Sequence, residues 1–257
     1  MKQFVLAAAL CGAMSGVALA ADSPFAGTWK LDTTKSQFTG DTLDYSKTAT
    51  GMHYSDGAVA YNFAMDGKDY PVMPGRTTSW TKTSADGWDM VAKADGKVVV
   101  KSHRMLSADG STLSSAWTEY RPDGTTAKGS TVYKRLSGST GLAGKWKDVK
   151  VQATDDTMKI MVPAVGHYEM VSPAYKSTII GMTDGTPAPI KGPTVPPGAM
   201  ASYKAAGMGT WDYTITVQGK AYEKGMLTVS PDGKTLTDTS WTPGKESEKS
   251  MAVYDKS

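Results

Sequence analysis

A histidine followed by a tyrosine occurs twice, at His53-Tyr54 and at His167-Tyr168. By residue type these pairs are the best candidates for chemistry. An imidazole titrates near neutral pH and can carry protons or ligate a metal, and a phenol can orient a ligand through its hydroxyl in an otherwise apolar pocket. Neighbours in a β-strand point to opposite faces, so if both pairs keep one register, either the histidines or the tyrosines point inward. The favoured arrangement is a histidine on the solvent face beside a core tyrosine, because strands accept tyrosine readily. The third histidine, His103 in Lys101-Ser102-His103-Arg104, has no repeated counterpart.

Methionines supply the second set. Met158, Met161 and Met170 flank His167, and thioether with imidazole is a soft-metal donor set. A strand through Met158-Lys159-Ile160-Met161 would put the two sulfurs on opposite faces, which favours methionine as core or pocket lining. The candidate ligand-binding residues are therefore His53, Tyr54, His167, Tyr168, Met161 and Met170, with no catalytic residue, metal ligand or cofactor assigned. The chain has no Gly-x-Ser-x-Gly elbow, His-Glu-x-x-His helix, phosphate-binding glycine loop or dinucleotide fingerprint, so the balance leans away from an enzyme.

The elements that must hold these residues are strands. Asp-Gly occurs at residues 56, 66, 86, 95, 109, 123, 184 and 232, a pair that suits tight hairpins because both residues tolerate positive φ. Between these turns lie segments rich in Val, Thr, Tyr and Trp, read as antiparallel strands at Lys97–Leu106, Thr112–Tyr120, Thr126–Lys134, Thr210–Val217 and Ala221–Val229. No stretch sustains an apolar helical period; a short turn around Thr33 to Phe38 is the best helical candidate.

The order of landmarks shows an internal repeat. Gly27-Thr28-Trp29-Lys30 returns as Gly144-Lys145-Trp146-Lys147, His53-Tyr54 as His167-Tyr168, and Gly96-Lys97 as Gly219-Lys220. Ser107-Ala108-Asp109-Gly110 returns as Ser230-Pro231-Asp232-Gly233, and Val132-Tyr133-x-Arg135 as Val253-Tyr254-x-Lys256. A unit of this length is too long for a solenoid repeat and accommodates eight or nine strands; closing it into a barrel removes exposed sheet edges. Ser137-Gly138-Ser139-Thr140-Gly141 has linker composition. The expected organisation is all-β, two tandem antiparallel meander barrels with few or no helices, at residues 21–137 and 142–257.

The Gly-Thr-Trp-Lys-Leu-Asp opening at Gly27, Lys35-Ser36, Asp66-Gly67-Lys68-Asp69-Tyr70-Pro71-Val72, the Ser-x-Asp-Gly-x-Thr-Leu hairpin and the closing Val-Tyr-x-Arg resemble a family of small secreted bacterial lipocalin-like proteins without a settled activity. The resemblance covers nearly all of the first copy. It implies calycin-type barrels. The second copy departs from it where Tyr70-Pro71-Val72 becomes Ala188-Pro189-Ile190, inside a segment, Thr186 to Gly198, that carries five prolines. Proline cannot sit in a central strand, so this segment reads as an exposed loop at a barrel rim, either a lengthened connection or a lid over a pocket mouth.

At the start, Met1-Lys2 followed by an apolar run from Phe4 and the small-x-small Ala18-Leu19-Ala20 reads as a secretory leader cleaved after Ala20, implying a periplasmic or secreted address. The single cysteine, Cys11, falls in that leader, so the processed chain would hold no disulfide, thiolate nucleophile or cysteine-based metal site. The run is interrupted by Cys11-Gly12 and Ser15-Gly16, so no integral membrane segment is expected after processing. The formal charge of +3, one unit of it from Lys2, is scattered without a basic stripe, which argues against nucleic-acid binding. The leading expectation is a carrier in which one or both barrels hold a small apolar or amphipathic ligand in a mostly apolar cavity inside the barrel. An enzyme using a histidine in a barrel pocket, and a structural protein with sealed barrels, are the alternatives.

Overall fold

The computed structural model describes residues 23–138 and 140–257; the leader expected at residues 1–20 lies outside them. The described residues form twenty strands and no helix. In the first copy these are β1 (Gly27–Leu31), β2 (Thr42–Lys47), β3 (Met52–Ser55), β4 (Ala60–Phe63), β5 (Asp66–Met73), β6 (Arg76–Lys82), β7 (Gly87–Ala94), β8 (Lys97–Leu106), β9 (Thr112–Tyr120) and β10 (Thr126–Ser137). In the second they are β11 (Gly144–Gln152), β12 (Thr157–Met161), β13 (His167–Ser172), β14 (Ser177–Met182), β15 (Ala188–Lys191), β16 (Ala199–Gly207), β17 (Thr210–Val217), β18 (Lys220–Val229), β19 (Thr235–Trp241) and β20 (Ser250–Lys256). Each copy has ten strands where eight or nine were expected.

Local chemistry explains the meander. The β7–β8 connection is Asp95-Gly96, with φ of 45° and 77°, and its counterpart between β17 and β18 is Gln218-Gly219, with φ of 51° and 79°. Positive φ at both central residues is the type I′ signature, whose twist matches that of the flanking strands. Along β8, Ser102, Arg104 and Leu106 are buried while Lys101, His103 and Met105 are exposed, the two-residue period of a half-buried strand. The turn at Thr33–Phe38 is not helical: the Asp32 side chain accepts from the Thr34 amide at 2.8 Å and its hydroxyl at 2.6 Å, an Asx-type arrangement that satisfies the backbone without helix bonds.

The strands form two antiparallel sheets whose limits differ from those of the repeat. One runs β2 to β11 as a continuous meander, with β11 paired to both β10 and β2. It is nearly closed, because β4 and β5 are not hydrogen-bonded to each other. The other is a closed barrel of β12 to β20 completed by β1, which pairs with β12 and β20. Each barrel therefore contains the opening Gly-x-Trp strand of the other copy. The segments 21–137 and 142–257 each give their first strand to the other barrel and lack one strand of their own. The linker expected at Ser137 to Gly141 falls between β10 and β11, which pair in one sheet; the chain changes barrel between Leu31 and Thr42 and again between Gln152 and Thr157.

Both exchanged strands are held alike. Trp29 and Trp146 are fully buried, and their indole N–H groups donate to the carbonyls of Phe25 (2.8 Å) and Leu142 (3.0 Å). A cation covers each ring, Lys256 at 5.1 Å from Trp29 and Arg135 at 4.0 Å from Trp146. Gly27 and Gly144 make this possible. Their φ values are 154° and 143°, and a Cβ would lie 2.5 Å from Lys256 Cε or 2.3 Å from the Ser137 carbonyl oxygen, so glycine supplies both the conformation and the space.

Each barrel has its own core. Tyr45, Phe63, Trp80, Trp88, Leu113 and Trp146 anchor the first, and Trp29, Ile160, Tyr168, Tyr203, Trp211 and Leu236 the second. Contacts between barrels are polar at the periphery. The Lys245 ammonium donates to the Thr42 carbonyl at 2.7 Å, Glu248 accepts from the Thr42 amide at 3.0 Å, and the Asp123 amide donates to the Ala174 carbonyl at 3.2 Å.

Candidate functional site

Where the two barrels face each other they form an apolar cleft of about 480 Å³ that is open to solvent on one side. The first barrel contributes Thr78 and Ala92, directly paired across β6 and β7 on its inner face, with Val72 and Met73 of β5. The second contributes Ile190, Ala199, Ile215 and Val217, of which Ile190 and Ile215 pack on its core. The cavity is thus a vestibule shared by the two barrel mouths, not the interior of one barrel that the carrier expectation called for. It borders the open β4/β5 seam and the corresponding β14/β15 junction, which only two residue pairs close.

The proline-rich segment forms one wall, and its structure differs from the loop expected. Ala188–Lys191 is a strand of the barrel, kept short by its prolines: Pro189 is exposed, and only two residue pairs link β15 to each neighbour. The remainder carries Thr194, Val195 and Pro196 to the vestibule. It is fastened across the junction, because the Arg76 guanidinium donates to the Thr194 carbonyl. Burial holds the Arg76 pKa below its ordinary value.

Polar groups behind the two mouths differ in sign. In the first barrel, Arg104 is 8% exposed. Its guanidinium lies 5.0 Å from the Trp80 ring and donates to the Tyr45 hydroxyl. In the second barrel, the Tyr213 hydroxyl contacts Glu223 Oε1 at 2.8 Å and Asp238 Oδ1 at 2.9 Å. A phenol has one proton to donate, so with both contacts made one carboxyl keeps its own. Burial, reinforced by the neighbouring Glu223 charge, pushes Asp238 up to about 7, and burial raises Glu223 as well.

None of the six candidate residues lines the vestibule. In both copies the tyrosine faces inward and the histidine outward. Tyr54 packs between Tyr45 and Tyr61 with ring separations of 5.2 and 5.1 Å, and its hydroxyl donates to Asp56 at 3.0 Å. His53 meets Asn62 on the outer side at 2.8 Å. Tyr168 is fully buried, with a hydroxyl that has no hydrogen-bond partner among the described residues and a pKa pushed up to about 12 by burial, whereas His167 is exposed. Met170 is buried and accepts from the Tyr203 hydroxyl at 3.6 Å. Met161 lies on the opposite face from Met158, which packs on the core, so the methionines do not converge as a donor set.

Arg104, Glu223 and Asp238 were missed, although strand alternation could have flagged each. Arg104 shares a face with Leu106, Asp238 with Leu236, and Glu223 with Leu227, so each is a charge on a core-facing position. No protein-family profile, curated protein or solved structure matches the chain.

Proposed function

We propose that this protein is an exported, lipocalin-like carrier that holds a small apolar or amphipathic molecule in the vestibule between its barrels. The observation that supports this reading is the cavity itself. Its volume falls within the range of small-molecule sites, and its lining is mainly aliphatic with a few polar groups, the usual composition of such sites. Lining drawn from both copies also gives the duplication a purpose, since neither barrel mouth alone supplies both walls of the cleft. The histidine-based enzyme reading loses its premise, because both histidines of the repeated pair face outward. Native mass spectrometry of the protein isolated from its own periplasm or medium tests the reading: a co-purifying small molecule is expected. A bare chain that also fails to bind apolar fluorescent probes would refute it.

A further inference from the structure

The cleft between the barrels is apolar but not neutral. Arg76 and Lys93 are the only charged residues in its lining, and no carboxylate shares it with them. Lys93 is already matched, because its ammonium meets both oxygens of Asp69 at 2.8 and 2.9 Å. Arg76 is half-buried and unmatched: no carboxylate lies within ion-pair distance of it among the described residues, and Asp95 acts on it only from farther away. Of its nitrogens the protein uses only Nη2, on the Thr194 carbonyl. Nε and Nη1 have no partner among the described residues and keep surface open to solvent. A charge held in apolar surroundings without a counter-ion is costly. Tyr222 lines the cleft from the second barrel, close enough to Arg76 that a negative charge on its phenol would raise the Arg76 pKa. Its hydroxyl is likewise solvent-accessible and without a partner among the described residues. Burial pushes the Tyr222 pKa above its ordinary value, so the phenol stays protonated and can donate.

Folding requires neither group, as the repeat demonstrates. Arg76 stands opposite Ala94, the last residue of β7, as Ala199 stands opposite Val217, the last residue of β17. Tyr222 is the extra residue of the bulge in β18, and Val99 is the extra residue of the bulge in β8. Each copy therefore closes with an apolar residue where the other presents a polar group to the cleft. Bulges are also places where a strand re-aims a side chain, often beside a site.

Resting on the carrier reading above, we propose that Arg76 and Tyr222 form a head-group subsite in the cleft. It takes the carboxylate of an amphipathic ligand whose apolar chain lies against Ile190, Ala199 and Ile215. One unmatched positive charge suits a head group with one negative charge, which a carboxylate supplies. The guanidinium comes from the first barrel and the phenol from the second, so the head group is held by both copies. Lys93, held by Asp69, adds little.

Fluorescence titration of the full-length processed protein with cis-parinaric acid and with its neutral methyl ester tests this. The acid is expected to bind tighter by roughly tenfold or more, the worth of a charge-assisted hydrogen bond. Arg76→Gln keeps a donor for the Thr194 carbonyl and removes the charge, so it should abolish the preference and leave ester affinity unchanged. Lys93→Gln should leave the preference in place. If Arg76→Gln does not fold, Tyr222→Phe, which removes one oxygen, should reduce the preference several-fold. Equal binding of acid and ester by the unaltered protein would overturn the head-group subsite and leave the carrier reading standing. A preference lost in Lys93→Gln and kept in Arg76→Gln would also overturn it. Failure to bind either probe would overturn the carrier reading, and the subsite with it.

Discussion

Trp29 and Trp146 lie in each other's barrels: the tryptophan that opens the first copy is buried in the core of the second, and the reverse. Cutting the chain at the repeat boundary therefore breaks both barrels, whereas a cut after Gln152 leaves one intact. Residues 40–152, expressed alone, contain all ten strands of the first barrel and should show a cooperative thermal transition. Residues 21–137 lack β11 and should not. Circular dichroism melts of the two fragments check this, and equal cooperativity would contradict the exchange.

Replacing either tryptophan empties a fully buried site, and such truncations cost about 3–5 kcal/mol. Trp146→Ala should lower the stability of the first barrel and Trp29→Ala that of the second. Denaturant unfolding followed by hydrogen exchange would assign each loss. Greater loss of protection in β2 to β10 than in β12 to β20 for Trp29→Ala would contradict the exchange.

The acid pair on Tyr213 makes the second barrel sensitive to pH. A carboxyl whose pKa is higher in the folded state than in the unfolded chain binds more protons when folded, so stability declines as pH rises between the two values. For Asp238 that window runs from the ordinary carboxyl value of 3.8 to about 7. Unfolding midpoints in urea should therefore fall from pH 4 to pH 7. Asp238→Asn, which keeps the shape and removes the titration, should flatten that decline. A midpoint that rises through the same window in the native sequence, and is unmoved by the substitution, would count against a shared proton.

Arg76 fastens the proline-rich wall through one bond to the Thr194 carbonyl. Arg76→Ala should loosen residues 192–198, raising their amide exchange and their sensitivity to protease while leaving β16 and β17 protected. Unchanged exchange in that segment would show that the wall is held by its own prolines.

Much of the strand order was legible because the signals for it are local. Thr112–Tyr120 and Thr210–Val217 were read with their observed limits, since alternation and bounding turns fix a strand without reference to its partners. The exchange was not legible, because β1 and β11 open on the same Gly-x-Trp pattern and either could fill either barrel. Strand pairing is a long-range choice, and the glycine-serine run before β11 looks the same whether it joins domains or turns a hairpin. For the His-Tyr pairs, alternation showed that one residue of each must face inward, and the structure chose tyrosine. The vestibule was hidden because its walls come from residues more than one hundred positions apart, such as Thr78 and Ile215, that no motif links.

The most direct test of the carrier account fills the vestibule from both sides. Ala199→Phe on the second barrel and Ala92→Leu on the first each put bulk into the cavity from a small residue at its wall. An apolar fluorescent probe should bind the unaltered protein at one site, and each substitution should weaken it by about tenfold or more, with His53→Ala and His167→Ala without effect. Binding that survives both filling substitutions in folded protein would contradict the claim that the space between the barrels is where this protein holds its ligand.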